Sequence, residues 1–208
     1  MQQLIQERNV SFALLTKAQT LCNTWYKLQT KSLNLLQSIN NVISQRIATF
    51  DLPTTLAQHG VTPSRLIFKQ TESIENSIKN MRLVLEMFEK VKNDWQKLEI
   101  EAKRHLTKSL TVIVKPQPLS TESMIQVTSV SPVQVYDMIS KLAYMHKEEF
   151  AYKSTLLISL PSHTSTVEQF QNLIDRWTME SRIDDQIEQD ISERIKLYKV
   201  VKKVLQSE

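Results

Sequence analysis

The sequence predicts an all-α protein: a long antiparallel helical hairpin, coiled-coil-like, with C-terminal helices packed on it as a helical bundle. Three observations predict it. The 208 residues include a single glycine, Gly60, and six prolines, whereas sheet proteins use glycine at hairpins and bulges. Apolar residues recur at seven-residue spacing through two long stretches free of Gly and Pro. With 41% apolar and 23% charged residues the balance is that of a water-soluble chain with a core, and no apolar run approaches the ~18 residues of a membrane span.

The first helix is expected from residue 3 to about residue 50, with Leu14, Leu21, Leu28, Leu35 and Val42 in a strict seven-residue comb and Ala18, Trp25 and Ile39 on a second seam. Leu15, Cys22, Leu36 and Ile43 widen the stripe beyond what one partner helix covers. Its other positions are mostly Gln, Asn, Ser and Thr. That is either a neutral solvated face or a surface covered by another subunit, since interface cores are depleted in charge. Pro53 and Gly60 bracket a corner, and Thr62-Pro63 restarts a helix, threonine capping while proline takes a position with no amide partner to lose.

From there to Leu110 the comb Ile67, Ile74, Met81, Phe88, Trp95 and Ala102 runs beside Val84, Val91 and Leu98. A corner centred on Leu56 would set Leu14 level with Leu98, Leu21 with Val91 and Leu28 with Val84. Thr111 to Ser131 reads as a linker: Val112-Ile113-Val114, then Lys115-Pro116-Gln117-Pro118 and a Ser/Thr-rich run. Ser131-Pro132 repeats the cap-plus-proline start of a third helix reaching about Ser159. Ser165-Thr166-Val167-Glu168 has the form of a capping box that opens a short helix, and Ser181 to Asp184 repeats the spacing before a last helix along Ile183, Ile187, Ile191 and Ile195. The division is thus a hairpin over 1–110, a linker over 111–131 and a helical region over 132–208 that joins the hairpin in one domain.

Chemistry is sparse. One cysteine excludes an internal disulfide, and the His at 59, 105, 146 and 163 have no close partner ligands for a metal. With Gly60 alone no glycine-rich loop can cradle a phosphate, and no Ser, His or Asp sits where a nucleophile is exposed and activated. Cys22, Trp25, Trp95 and Trp177 read as core. No catalytic, cofactor-binding or metal residue is assigned, and the chain reads as a non-enzyme inside the cell. A net charge of +4 and a pI near 9.1 raise RNA contact, although Lys103, Arg104 and Lys108, like the late lysines, sit at helix ends where the dipole also favours cations. Ser165 and Ser181 each precede an acid by three residues, the pattern of an acidophilic kinase, and are candidate phosphorylation sites as well as candidate N-caps.

The stretch Val130-Ser131-Pro132, then Asp137-Met138, then Phe150-Ala151-Tyr152-Lys153 and Leu156-Leu157-Ile158-Ser159-Leu160 resembles the AIRIM family, ribosome maturation factors that associate with AAA+ ATPases. The likeness extends to Trp177 and residues 185–191, and thinly to Trp25 and the corner at 50–53. The resemblance implies a non-enzymatic adaptor that joins a second small coiled-coil protein and AAA+ ATPase subunits. Such an assembly strips shuttling factors from pre-60S ribosomal particles in the cytoplasm, works also in the nucleus, and is linked to chromatin and replisome protein turnover. Phe150, Lys153, Leu156 and Leu157, which carry the likeness, become the candidate partner-binding residues. The basic ending Val200-Val201-Lys202-Lys203-Val204 and the long Ser/Thr linker depart from the family pattern. A structural coiled-coil tether and an RNA-binding accessory protein remain the alternative readings.

Overall fold

The computed structural model describes residues 2–49, 60–111, 125, 128–160 and 166–206. Among them are five helices and no strand: α1 Gln2–Ala48, α2 Pro63–Leu110, α3 Pro132–Ser159, α4 Val167–Thr178 and α5 Asp185–Gln206. The expected corner at 50–59, Val112-Ile113-Val114 with most of the linker, and Ser165 lie outside the described residues.

Helix starts follow local chemistry. Thr62 Oγ1 accepts from the Arg65 amide at 3.4 Å, just after Gly60 turns left-handed at φ 72°, a conformation that suits a residue without Cβ. Ser131 Oγ likewise accepts from the Gln134 amide at 3.3 Å. Two caps differ from expectation. Thr166, not Ser165, is the cap of α4, extended at φ −137° and accepting from the Gln169 amide at 3.2 Å. Ser181 lies in a turn ahead of α5, and Asp184 caps that helix by accepting from the Gln186 amide at 3.0 Å. A carboxylate caps as well as a hydroxyl and adds a favourable charge at the positive end of the helix dipole, so the acid displaces the serine.

The chain forms two compact units. Unit 1 comprises residues 1–25, 90–148 and 181–208, and its core includes Leu15, Ala18, Trp95, Leu98, Ile139, Leu142 and Ile195. Within it α5 docks on α1 through the Tyr198 ring, 4.7 Å from Phe12, and the Tyr198 hydroxyl, which accepts from Arg8 Nε at 3.2 Å. Unit 2 comprises residues 26–89 and 149–180, with Leu36, Ile39, Met81, Phe88, Leu156, Phe170 and Trp177 in its core.

Inside each unit α1 and α2 run antiparallel, but the register differs from the leucine-comb expectation. Ser11 bonds His105 and Lys17 bonds Glu101 in unit 1, while Arg46 bonds Thr71 and Gln70 bonds Thr49 in unit 2. Every pair lies about one to two turns further along α2 than a corner at Leu56 requires. Of the expected comb Leu14 and Leu28 are buried but Leu21, Leu35 and Val42 are only half-buried, whereas the flanking Leu15, Cys22, Leu36 and Ile43 are all buried. A seven-residue repeat identifies a face without fixing its centre or its axial level, which here the large rings Trp95 and Phe88 occupy.

Threonines of α1 spend their hydroxyl protons inside the helix, Thr16, Thr20, Thr24 and Thr30 each donating to the carbonyl four residues back. The cap assignment makes a prediction: Asp184→Ala removes about 1 kcal/mol and lowers the melting midpoint by about 2–4 °C, while Ser181→Ala leaves it unchanged. Differential scanning calorimetry of the two variants checks it, and an equal effect from Ser181→Ala contradicts the assignment.

Candidate functional site

The interior seam of α3 runs Val135, Ile139, Leu142, His146, Glu149, Lys153, Leu156 and Leu160, alternating steps of four and three as one buried stripe. Three successive members are polar. Lys153 and Glu149 fall in unit 2 and His146 in unit 1, and each group is fully buried.

In unit 2 the Lys153 ammonium donates to Gln29 Oε1 at 2.7 Å and to the Trp177 carbonyl at 3.1 Å. Its carboxylate neighbours are Glu149 and Glu180, each at 3.4 Å, and it lies over the Trp177 ring, 4.7 Å from the centroid. Around it Gln29 Nε2 donates to the same carbonyl at 2.9 Å, and the Trp177 indole donates to Ser32 Oγ at 2.8 Å. Burial pulls the lysine pKa down while Glu180 and Glu149 push it back up. Glu180 takes part from a left-handed backbone, φ 41°, a conformation that costs a non-glycine residue roughly 1 kcal/mol or more. Placed just past α4, it lets one side chain end the helix and reach the buried ammonium.

In unit 1 His146 sits between two indoles, edge-on to Trp25 at 4.7 Å and stacked on Trp95 at 4.9 Å. Nδ1 lies 2.8 Å from the Leu142 carbonyl and so carries the proton, while Nε2 is 3.9 Å from Glu188 Oε1. Burial holds the imidazole pKa down to about 4, so the ring is neutral near pH 7. Cys22 neighbours the same carboxylate, yet burial first, and Glu188 second, drive its thiol pKa far upward. A Cys, His and Glu therefore gather here with the reverse of the electrostatics a nucleophile requires, because burial and the neighbouring carboxylate both disfavour the thiolate. Among the described residues no group of three or more His, Cys, Asp or Glu could hold a metal, and no helix is long and apolar enough to cross a membrane.

Of the four candidate docking residues, Lys153, Leu156 and Leu157 are interior and Phe150 is half-buried. Ser181 is exposed. Exposed apolar side chains occur elsewhere, notably Leu197 and Val200 on α5 in unit 1 and Ile158 and Met179 in unit 2. Gln29, Ser32 and the acid pair around Lys153 escape a reading by composition, although the signal is present. Gln29 interrupts the comb Leu15, Cys22, Leu36, Ile43 and Ser32 interrupts Ala18, Trp25, Ile39, polar residues placed where the period demands apolar ones.

Comparison with protein families returns one described as ribosome biogenesis protein C1orf109-like, matching residues 10–198. The chain belongs to this family. The AIRIM resemblance and this match are the same relationship, now spanning α1 to α5. A comparison with curated proteins gives no match. Membership makes the chain a ribosome biogenesis factor, and the buried lysine and histidine clusters are the interior framework of that factor.

Two stability predictions follow from the clusters. Lys153→Met leaves Glu149 buried beside a neutral side chain and lowers unfolding free energy by about 3–5 kcal/mol, with much of the loss recovered when Glu149→Leu is added; urea denaturation of both variants measures it. For His146 the folded pKa lies below the unfolded value, so the unfolded chain binds more protons at intermediate pH. Its stabilisation is full above about pH 6.5 and drains as pH falls towards 4, by about 3 kcal/mol in all. His146→Phe removes that component of the pH profile, and a variant profile superimposable on wild type between those limits refutes it.

Proposed function

We propose that the protein is a non-enzymatic adaptor subunit of an AAA+ ATPase complex that promotes cytoplasmic maturation of pre-60S ribosomal particles by releasing shuttling assembly factors. Its partners in this reading are the ATPase subunits and a second small helical protein, with pre-ribosomes engaged through them. The same adaptor activity extends to chromatin and replisome protein turnover, and the protein works in cytoplasm and nucleus. Membership in a ribosome biogenesis family supports the process, and the AIRIM-like segments of α3 support the ATPase connection.

The observation that carries the adaptor reading is the second apolar face of α5. At about 100° per residue, Leu197, Val200 and Val204 project on the side opposite the core residues Ile191, Ile195 and Tyr198, and are 53%, 59% and 53% exposed. Lys196 and Lys203 border that strip, and no acid occurs from Arg194 to Gln206. The strip fits an amphipathic partner helix whose flanking positions carry carboxylates. Phe150, half-buried on α3, is the additional docking candidate.

Affinity capture of the full chain with mass spectrometry tests the reading. Wild type retains the ATPase at gentle salt, Leu197→Asp/Val200→Asp keeps the melting midpoint but loses most of the captured partner, and Leu157→Asp lowers the midpoint because it buries a carboxylate. Absence of the ATPase from the wild-type eluate, with large-subunit maturation unaffected by depletion, refutes the assignment.

A further inference from the structure

The remaining feature is one face of α2 near its end. Ile100, Lys103, Arg104, Thr107, Lys108 and Thr111 follow one another at helical spacing, all exposed, and line a single open trough in unit 1. Four cations elsewhere meet carboxylates three or four residues away: Lys69 with Glu72, Lys97 with Asp94, Lys141 with Asp137 and Arg194 with Asp190. Lys103, Arg104 and Lys108 meet none among the described residues, and Arg104 faces Lys108 at i,i+4, a like-charge pairing that disfavours the helix.

The helix dipole accounts for Lys108 alone, because its influence fades beyond the last turn. The surrounding charge is of the same sign. Unit 1 holds 17 Lys and Arg against 13 Asp and Glu, and unit 2 holds nine of each, so the whole formal excess of +4 belongs to unit 1. His105, next in sequence, has its pKa lowered by burial and then by Lys108, which is the mark of a positive local field.

We infer that this face of α2 binds the phosphate backbone of structured RNA through Lys103, Arg104 and Lys108. Thr107 and Thr111 donate to the Lys103 and Lys108 carbonyls, which leaves the three cations as the donors to phosphate. No aromatic ring stands on the face, so bases of a single strand find nothing to stack on, and recognition is of a duplex backbone without sequence preference. One isoleucine is too little apolar surface to enter a bilayer, which separates the face from a membrane-binding helix. In a ribosome biogenesis factor the phosphate source is ribosomal RNA. The inference goes beyond the adaptor reading and does not need the ATPase.

Fluorescence anisotropy of the full chain with a labelled RNA hairpin of about 20 base pairs, at 50 and 200 mM salt, is the test. Micromolar binding at low salt is expected, weakening steeply as salt rises. Lys103→Gln/Arg104→Gln/Lys108→Gln reduces affinity at least tenfold at 50 mM and flattens the log–log salt slope by about 2–3, since each phosphate contact contributes about 0.9. Lys103→Arg/Lys108→Arg retains binding, and both variants keep the wild-type melting midpoint. No binding at 50 mM, a triple variant that binds like wild type, or capture by phosphatidylserine vesicles in place of the hairpin overturns the inference. The triple variant also goes through ATPase capture: retention with lost RNA binding separates the two surfaces, and a wild type that binds RNA without the ATPase defeats the adaptor reading alone.

Discussion

A full charge placed in the interior constrains unit 2 more than any apolar contact does. An ammonium away from water is tolerated only where several acceptors converge on it, and the acceptors around Lys153 come from three separate parts of the chain. Gln29 on α1 must present its amide oxygen, the end of α4 must turn its Trp177 carbonyl inward, and Glu180 must adopt a left-handed backbone to bring its carboxylate within range. Satisfying the lysine thus fixes which turn of α1 faces which turn of α3 and where α4 stops. Apolar packing alone would permit neighbouring registers, because leucine against leucine is nearly the same one heptad away.

The same seam of α3 solves the problem differently in unit 1. There the titratable group sheds its charge: His146 stays neutral between two indoles with one nitrogen on the Leu142 carbonyl. One heptad seam therefore contains a compensated ion cluster and a neutralised imidazole, and both are specified by partners from other helices. These are framework devices. The outer side of α5 and the end of α2 are built differently, with exposed apolar residues on the one and exposed cations on the other.

That division bears on how a helical factor of this family serves ribosome biogenesis. In the family-like segment Phe150 to Leu160 one face belongs to the interior, with Lys153, Leu156, Leu157 and Leu160 buried, while Ile158 stays exposed. A recognisable motif in a helical protein need not be its docking surface, since core positions are constrained by everything packed against them. The electrostatic asymmetry between a cationic unit 1 and a neutral unit 2 places the long-range attraction for anionic partners in one unit only.

Much was legible from the sequence by itself. Scarce glycine and seven-residue combs determined the helical class, and Thr62-Pro63 and Ser131-Pro132 located two helix starts to the residue, because capping and proline's missing amide act within one turn of chain. The quoted segments were enough to indicate the family. Tertiary structure alone decided the axial register of α1 against α2 and the burial of Lys153. The reason is range. Periodicity and caps are local, whereas Lys153 and Gln29 are 124 residues apart, and a lysine on a helix seam looks the same in sequence whether it meets water or two carboxylates and an indole.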